Sequence, residues 1–248
     1  MSKVFPSMHS RLEKPSFFAL IPCWLILVGF LPPNRPLLAS GLWEQWEISA
    51  WLEIAYHVLT GVITLLILKE YLKDEWFMVS TSFRFYLKHI GLTVGLMVGV
   101  ELILLGTLYH NGLNVVNLLN GLPVAEMYVV HSPWSLITYR PLLGTMALVL
   151  FVPIAICGFY YCFSFATLAY KRPWLGYLSI PVITFLPALI NILWRQETAQ
   201  GLGLYFAGLP VHLLACWSYQ KTDNVWTPLV SLAATNLLLA VFLLLVFR

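Results

Sequence analysis

Five polar side chains lie within long apolar stretches of this 248-residue chain and are the residues most able to do chemistry there: Glu53, His57, Glu101, His212 and Asn236. Glu53 and His57 are four residues apart, so on a helix both project from one face. Such a set could form an acid/base pair, a proton path or the ligands of a cofactor such as a haem or a chlorin. The simpler interpretation, which we favour, is a neutral Glu-His hydrogen-bonded pair that fixes helix packing, with Asn236 as an interhelical contact.

The sequence offers little other ready-made chemistry. The four cysteines all fall in apolar stretches without C-x-x-C spacing, which favours structural thiols over a metal or redox site: Cys23, Cys157, Cys162 and Cys216. The sequence has no glycine-rich phosphate loop, no H-E-x-x-H pair and no G-x-S-x-G nucleophile elbow. We therefore expect neither a metal nor another cofactor.

The apolar stretches that carry these side chains define the class of protein. Hydrophobic residues make up 60% of the chain and charged residues only 10%, and the mean hydropathy is +0.81. A water-soluble fold of this length could not cover so much apolar surface. The runs lack the period-2 alternation of a membrane barrel, so the predicted fold class is all-α, a polytopic membrane helical bundle. We treat residues 1–248 as a single integral membrane domain.

Seven of the apolar runs approach the length of about 20 residues that crosses a hydrocarbon core. The predicted spans are 17–31, 49–68, 90–109, 142–170, 175–194, 201–219 and 226–247. The third span contains Gly91, Gly95 and Gly99, a G-x-x-x-G-x-x-x-G series that allows close helix approach. We favour packing within the chain as its role, over association with a partner.

Two connections between spans are expected to lie at the membrane surface. Residues 69–89 mix aromatic with basic side chains and are too polar to span, which predicts an interfacial helix in the cytoplasmic headgroup region. Residues 110–140 form a long connection with apolar stretches, for which we predict a re-entrant or surface-lying segment.

The distribution of Lys and Arg predicts the orientation, because cytoplasmic loops retain positive charge. On one side fall Lys3, Arg11, Lys14, Lys69, Lys73, Arg84, Lys88, Lys171, Arg172 and Lys221; on the other fall Arg35, Arg140, Arg195 and Arg248. The N-terminus is therefore predicted to be cytoplasmic and the C-terminus to lie on the opposite side. This asymmetry accounts for the net charge of +3, so no nucleic-acid partner is expected.

The C-terminal region contains motifs in a recognisable order. The stretch TDNVWTPLVSLAATN, residues 222–236, resembles the last motif block of the CAAX-protease and bacteriocin-processing family, also called the Abi family. The stretches VPIAICGFYY, VITFLPALIN and FAGLPVHLLACWSYQKT resemble the preceding blocks. The positions that match the family are Pro153, Phe185, Gly208, Thr222, Trp226, Pro228 and Asn236.

The departures fall where the family does its chemistry. Ile156 and Cys157 replace the two glutamates, Tyr160 and Tyr161 replace phenylalanine and arginine, and Leu189 and Leu232 replace the two histidines. In the family the glutamates and histidines converge to activate a water molecule. Ile and Leu side chains can neither accept a proton nor hold a water, so we expect no peptide cleavage by that route.

The resemblance implies a protease-like helical core in residues 141–248, preceded by N-terminal helices and interfacial segments in residues 1–140. It implies a non-catalytic member of the family, serving as a binding scaffold, a regulator, an immunity protein or an accessory subunit. The expected partner is another membrane protein or a membrane-anchored peptide, held in the former substrate cavity. Two alternatives stay open: an active intramembrane endopeptidase that processes prenylated or membrane-anchored peptides, and a cofactor-binding or carrier subunit.

Overall fold

A computed structural model describes residues 20–21, 46–110, 141–195 and 198–246. These residues are helical almost throughout and include no strand, which confirms the all-α prediction for the described part of the chain. The predicted first span and the connection 110–140 lie almost entirely outside the described residues.

The helices follow the apolar runs closely. Every predicted span from residue 49 onwards falls, to within one residue, inside one helix or one continuous helical run. The elements are α1 (Trp46–Thr81), α2 (Phe83–His110), α3 (Pro141–Met146), π1 (Ala147–Phe151), α4 (Val152–Ile156), π2 (Cys157–Phe165), α5 (Ala166–Lys171), α6 (Pro173–Arg195), α7 (Thr198–Thr222) and α8 (Trp226–Val246).

Two stretches in the described part of the chain are long and apolar enough to cross a membrane. They are Phe83–Ile103 in α2 and Leu142–Ala169 in the run from α3 to α5. Two shorter apolar stretches, Pro173–Phe185 and Trp226–Phe242, lie in α6 and α8. The two long stretches support association of the protein with a membrane.

The region 69–89 differs from its prediction as a separate interfacial helix. Helix α1 continues unbroken through Thr81, the chain turns at Ser82, and α2 begins at Phe83. The amide of Ser82 donates to the carbonyl of Met78 at 3.2 Å. Residues 62–81 contain neither glycine nor proline, so nothing in the sequence ends the helix before the turn. The region is therefore the tip of a helical hairpin.

Residues 141–171 form one continuous helical run that contains two π-helical segments. The residues that join the segments, among them Phe151, Ile156 and Phe165, all have right-handed helical backbone angles. Proline has no N–H, so Pro153 cannot bond to the carbonyl of residue 149, which lies in π1. The longer segment, π2, lies at the centre of the hydrophobic core.

Three chain turns lie at the same end of the bundle: the α1–α2 turn at Ser82, the α5–α6 turn and the α7–α8 turn. The turn between α7 and α8 is bonded to α1, because the Asn224 side chain donates to the carbonyl of Glu75 at 3.0 Å. The turn between α5 and α6 is close by, since the Tyr177 hydroxyl donates to Gln220 at 2.7 Å. Of the Lys and Arg residues in the described ranges, all but Arg195 are near this end, which we call the basic end.

Candidate functional site

Four of the six positions predicted to replace catalytic residues of the CAAX-protease family lie in the interior of the bundle. Cys157, Tyr160, Tyr161 and Leu232 are at most 5% exposed and belong to one hydrophobic cluster. Ile156 packs against that cluster and is half-buried, as is Leu189 on α6. Side chains therefore fill the interior at Cys157, Tyr160, Tyr161 and Leu232.

One predicted polar residue meets these positions directly. The Tyr161 hydroxyl and Nδ1 of His212 are 2.8 Å apart, and which of the two donates depends on the histidine tautomer. The Tyr160 ring meets the His212 ring edge-on, with 4.7 Å between the ring centroids. This aromatic pairing joins π2 to α7 in the middle of the core.

The chemistry open to this site is narrow. The Tyr161 hydroxyl and Nδ1 of His212 are paired with one another, and the side chains of Ile156 and Leu232 offer no group that could bind a water or a metal ion. Within the described ranges, no three His, Cys, Asp or Glu side chains are grouped so that they could hold a metal ion. The geometry is that of a packing contact between two helices.

The other predicted polar residues lie on helices other than π2 and α7. Glu53 lies on α1, but its side chain is outside the described residues; His57, also on α1, is 6% exposed. Glu101 on α2 and Asn236 on α8 are both half-buried. In the described part of the chain, Glu101 and His212 share no hydrogen bond.

Two residues of the stretch 222–236 have a structural role that their contacts define. Asn224 and Trp226 attach the α7–α8 turn to α1: the indole N–H of Trp226 donates to the carbonyl of Leu72 at 2.8 Å, and the Asn224 amide reaches Glu75. The Asn224 side-chain oxygen also accepts the amide of Trp226 at 2.9 Å, which caps the start of α8.

Asn224 is not among the residues predicted from the sequence. It could have been predicted, because an Asn two residues before a helix whose first turn contains proline is a helix-capping signal.

A second polar cluster surrounds this attachment at the basic end. The hydroxyls of Tyr71 and Tyr219 are 2.9 Å apart, and Glu75 is only 3% exposed. Burial, followed by the nearby Cys162 thiol and the Glu75 carboxyl, raises the pKa of Tyr71 well above its ordinary value. Glu75 was not predicted as a site residue because it falls in the region expected to lie at the membrane surface.

The adjoining turn has an unusual backbone. Asp223 has a φ of 49°, in the left-handed region that side chains other than glycine adopt at a cost. Burial raises the pKa of the Asp223 carboxyl above its ordinary value.

The glycine series on α2 does not pack against any described part of the chain. A Cβ atom added at Gly91, Gly95 or Gly99 would meet nothing within 4 Å. The prediction that these glycines pack within the chain is therefore wrong for the described residues. Large apolar side chains beside them are exposed, including Leu92 at 50% and Leu96 at 43%.

In the part of the chain that the structure describes, the fold is all-helical, with two candidate membrane spans and a core of aromatic and thiol side chains. Comparison of the chain with protein-family models, with curated proteins and with solved structures gives no match.

Proposed function

We propose that this chain is a non-catalytic, multi-pass membrane protein of the CAAX-protease-like type that acts as a binding scaffold for another membrane protein. The observation that carries the proposal is the burial of Cys157, Tyr160, Tyr161 and Leu232 in one packed cluster. These positions correspond to the catalytic residues of the family, and here their side chains pack against one another. A peptide bond cannot be brought to a reactive group there without displacing the core.

The proposal includes seven spans, with the N-terminus cytoplasmic and the C-terminus on the opposite side. It is supported by the grouping of basic residues at the end where three turns meet, including Arg84, Arg172 and Lys221. Basic residues are retained on the cytoplasmic side, so this end would face the cytoplasm. Helices α1 and α7 would then run towards the cytoplasm, and α2, α6 and α8 away from it.

A filled interior moves the expected binding surface from the former substrate cavity to the outside of the bundle. The glycine face of α2 fits this role, because Gly91, Gly95 and Gly99 leave room for the backbone of a second helix. Leu92 and Leu96 flank the glycines and would pack against that helix. A transmembrane helix of a partner protein is therefore the proposed occupant.

The test is native purification of the tagged protein, followed by mass spectrometry of every protein that accompanies it. The expected result is one membrane protein at near-equal stoichiometry, lost in the Gly95→Leu variant. Val182→Leu is the matched control, because Val182 on α6 is 71% exposed and lies outside the proposed face. A solitary wild-type protein would overturn the proposal.

In that event, peptide-cleavage assays on Glu53→Ala, Glu101→Ala and His212→Ala would test the endopeptidase alternative. An absorption spectrum of the same sample would test the cofactor-binding alternative, which predicts a visible band.

A further inference from the structure

Three of the five buried Ser and Thr hydroxyls that lack a hydrogen-bond partner among the described residues lie on α7 and α8; the other two, Thr64 and Thr145, lie on α1 and α3. Ser218 on α7 and Thr227 and Ser231 on α8 are each 0% exposed, and none has a hydrogen-bond partner among the described residues. Most hydroxyls in apolar helices donate to a carbonyl one turn earlier. Thr93 and Thr222 do so here, at 2.8 and 2.9 Å.

The three hydroxyls lie within about two helical turns of the basic end. Helices α7 and α8 are joined by a short turn at residues 223–225, so the last residues of α7 lie beside the first residues of α8. Ser218 is four residues before the end of α7, and Thr227 and Ser231 are within six residues of the start of α8. Both helices also pack against α2.

The register between α8 and α2 places this group at the junction of three helices. A hydrogen bond joins Tyr86 to Asn224, and the Thr235 hydroxyl donates to the sulfur of Met97 at 3.7 Å. Both pairs are separated by 138 residues, so α2 and α8 run parallel in one register. Thr227 and Ser231 precede Thr235 at intervals of four residues and therefore share its stripe, which faces α2.

The same register places Thr93 at the level of Ser231 and His89 at the level of Thr227. A buried hydroxyl without a partner costs about 1–3 kcal/mol on protein scales, so three in one place are a considerable cost. Internal water satisfies such groups, since each buried water molecule makes about three hydrogen bonds.

We propose that Ser218, Thr227 and Ser231 form an internal hydration site at the junction of α2, α7 and α8, in which bound water molecules reach into the bundle from the basic end. The inference is independent of the scaffold function.

Radiolytic hydroxyl-radical labelling of the unmodified protein tests the site directly. Irradiated water produces hydroxyl radicals where it is bound, and these oxidise methionine side chains close to it. The reporter is Met97, which is 0% exposed and lies one turn beyond Ser231. The expected result is prompt oxidation of Met97 despite its burial. The reference residues are Met78 and Met146, which are 41% and 45% exposed. If both references are oxidised and Met97 is not, the proposal is overturned.

Replacing these hydroxyl residues by apolar residues of similar shape gives an independent test, because the expected change in Tm has a different sign for a hydrated site and for a dry one. If water binds these hydroxyls, Thr227→Val and Ser231→Ala each lower the Tm by about 2–4 °C, because the water loses a partner. If the hydroxyls are dry, removing an unpaired polar group leaves the Tm unchanged or raises it, and the proposal fails. Thr184→Val is the matched control, since the Thr184 hydroxyl donates to the carbonyl of Ile180.

Discussion

Replacement of Gly61 by alanine tests the packing of α1 against the π-helical run. A Cβ atom at Gly61 would lie 2.7 Å from Cβ and 2.9 Å from Cα of Phe151, the last residue of π1. The nearest atoms include backbone, so a rotation of the Phe151 side chain cannot relieve the clash. Helix α1 or the π1 segment must shift instead.

The expected magnitude follows from two opposing effects. Overpacking of a well-packed core typically costs about 1–3 kcal/mol, whereas replacing a helical glycine by alanine gains about 1 kcal/mol. Gly61→Ala is therefore expected to destabilise the protein by about 0–2 kcal/mol. In Gly95→Ala the new methyl group meets nothing within 4 Å, so only the gain of about 1 kcal/mol remains.

Thermal unfolding followed with a thiol-reactive dye measures this difference. Cys157, Cys162 and Cys216 are buried free thiols that become reactive when the bundle opens. The two variants should differ in stability by about 1–3 kcal/mol, and in a protein of this size about 1 kcal/mol corresponds to about 2–4 °C, so their Tm values should differ by about 2–12 °C. Equal stabilisation by Gly61→Ala and Gly95→Ala would refute the close contact between α1 and π1.

Three further outcomes are expected. Asn224→Ala removes the bonds that Asn224 makes to Glu75, Trp226 and Tyr86 and should lower stability by about 2–4 kcal/mol in the same assay; an unchanged Tm would contradict the attachment of the turn to α1. Tyr161→Phe leaves His212 without its partner and should cost about 1–3 kcal/mol, and the double variant with His212→Leu should cost less than the sum of the two single variants; additive losses would argue against the pair. Asp223→Gly relieves the positive φ and should raise the Tm. Because burial raises the pKa of Asp223, the folded protein holds this proton more tightly, and stability should fall as the pH rises above the ordinary value of 3.8; Asp223→Asn should remove that part of the pH dependence, and an unaltered Tm profile would exclude the contribution.

The positions of the helices could be predicted because each apolar run is long and is bounded by polar residues or by proline. The turn at Ser82 could not be placed, since the polar residues after Leu68 suggested that α1 ends there. Those residues are good helix formers, and burial of Leu72 and Glu75 against the α7–α8 turn extends the helix. Hydropathy predicts only which residues can lie in the apolar part of a membrane. The extension of α1 depends instead on a contact between residues about 150 positions apart in the sequence.

The candidate site was predicted only in part. His212 was selected as a polar residue in an apolar run, but its partner Tyr161 could be found only once π2 and α7 were side by side. The group of Ser218, Thr227 and Ser231 gave no signal, because single hydroxyls in apolar helices ordinarily bond to their own backbone. The glycine series on α2 was recognised from its spacing, but spacing cannot distinguish an inner face from an outer one.

The unbroken course of α1 has a mechanical consequence. A helix of 36 residues is about 54 Å long, well beyond the thickness of a hydrocarbon core of about 30 Å. Its tip carries the exposed side chains of Trp76 and Phe77, and two hydrogen bonds fasten it to the α7–α8 turn at Leu72 and Glu75. The helix has no hinge between that attachment and the tip, so a load applied at the tip must tilt all of α1 or break the attachment. Helix α1 is thus expected to move as one body, pivoting about its contacts with Asn224 and Trp226.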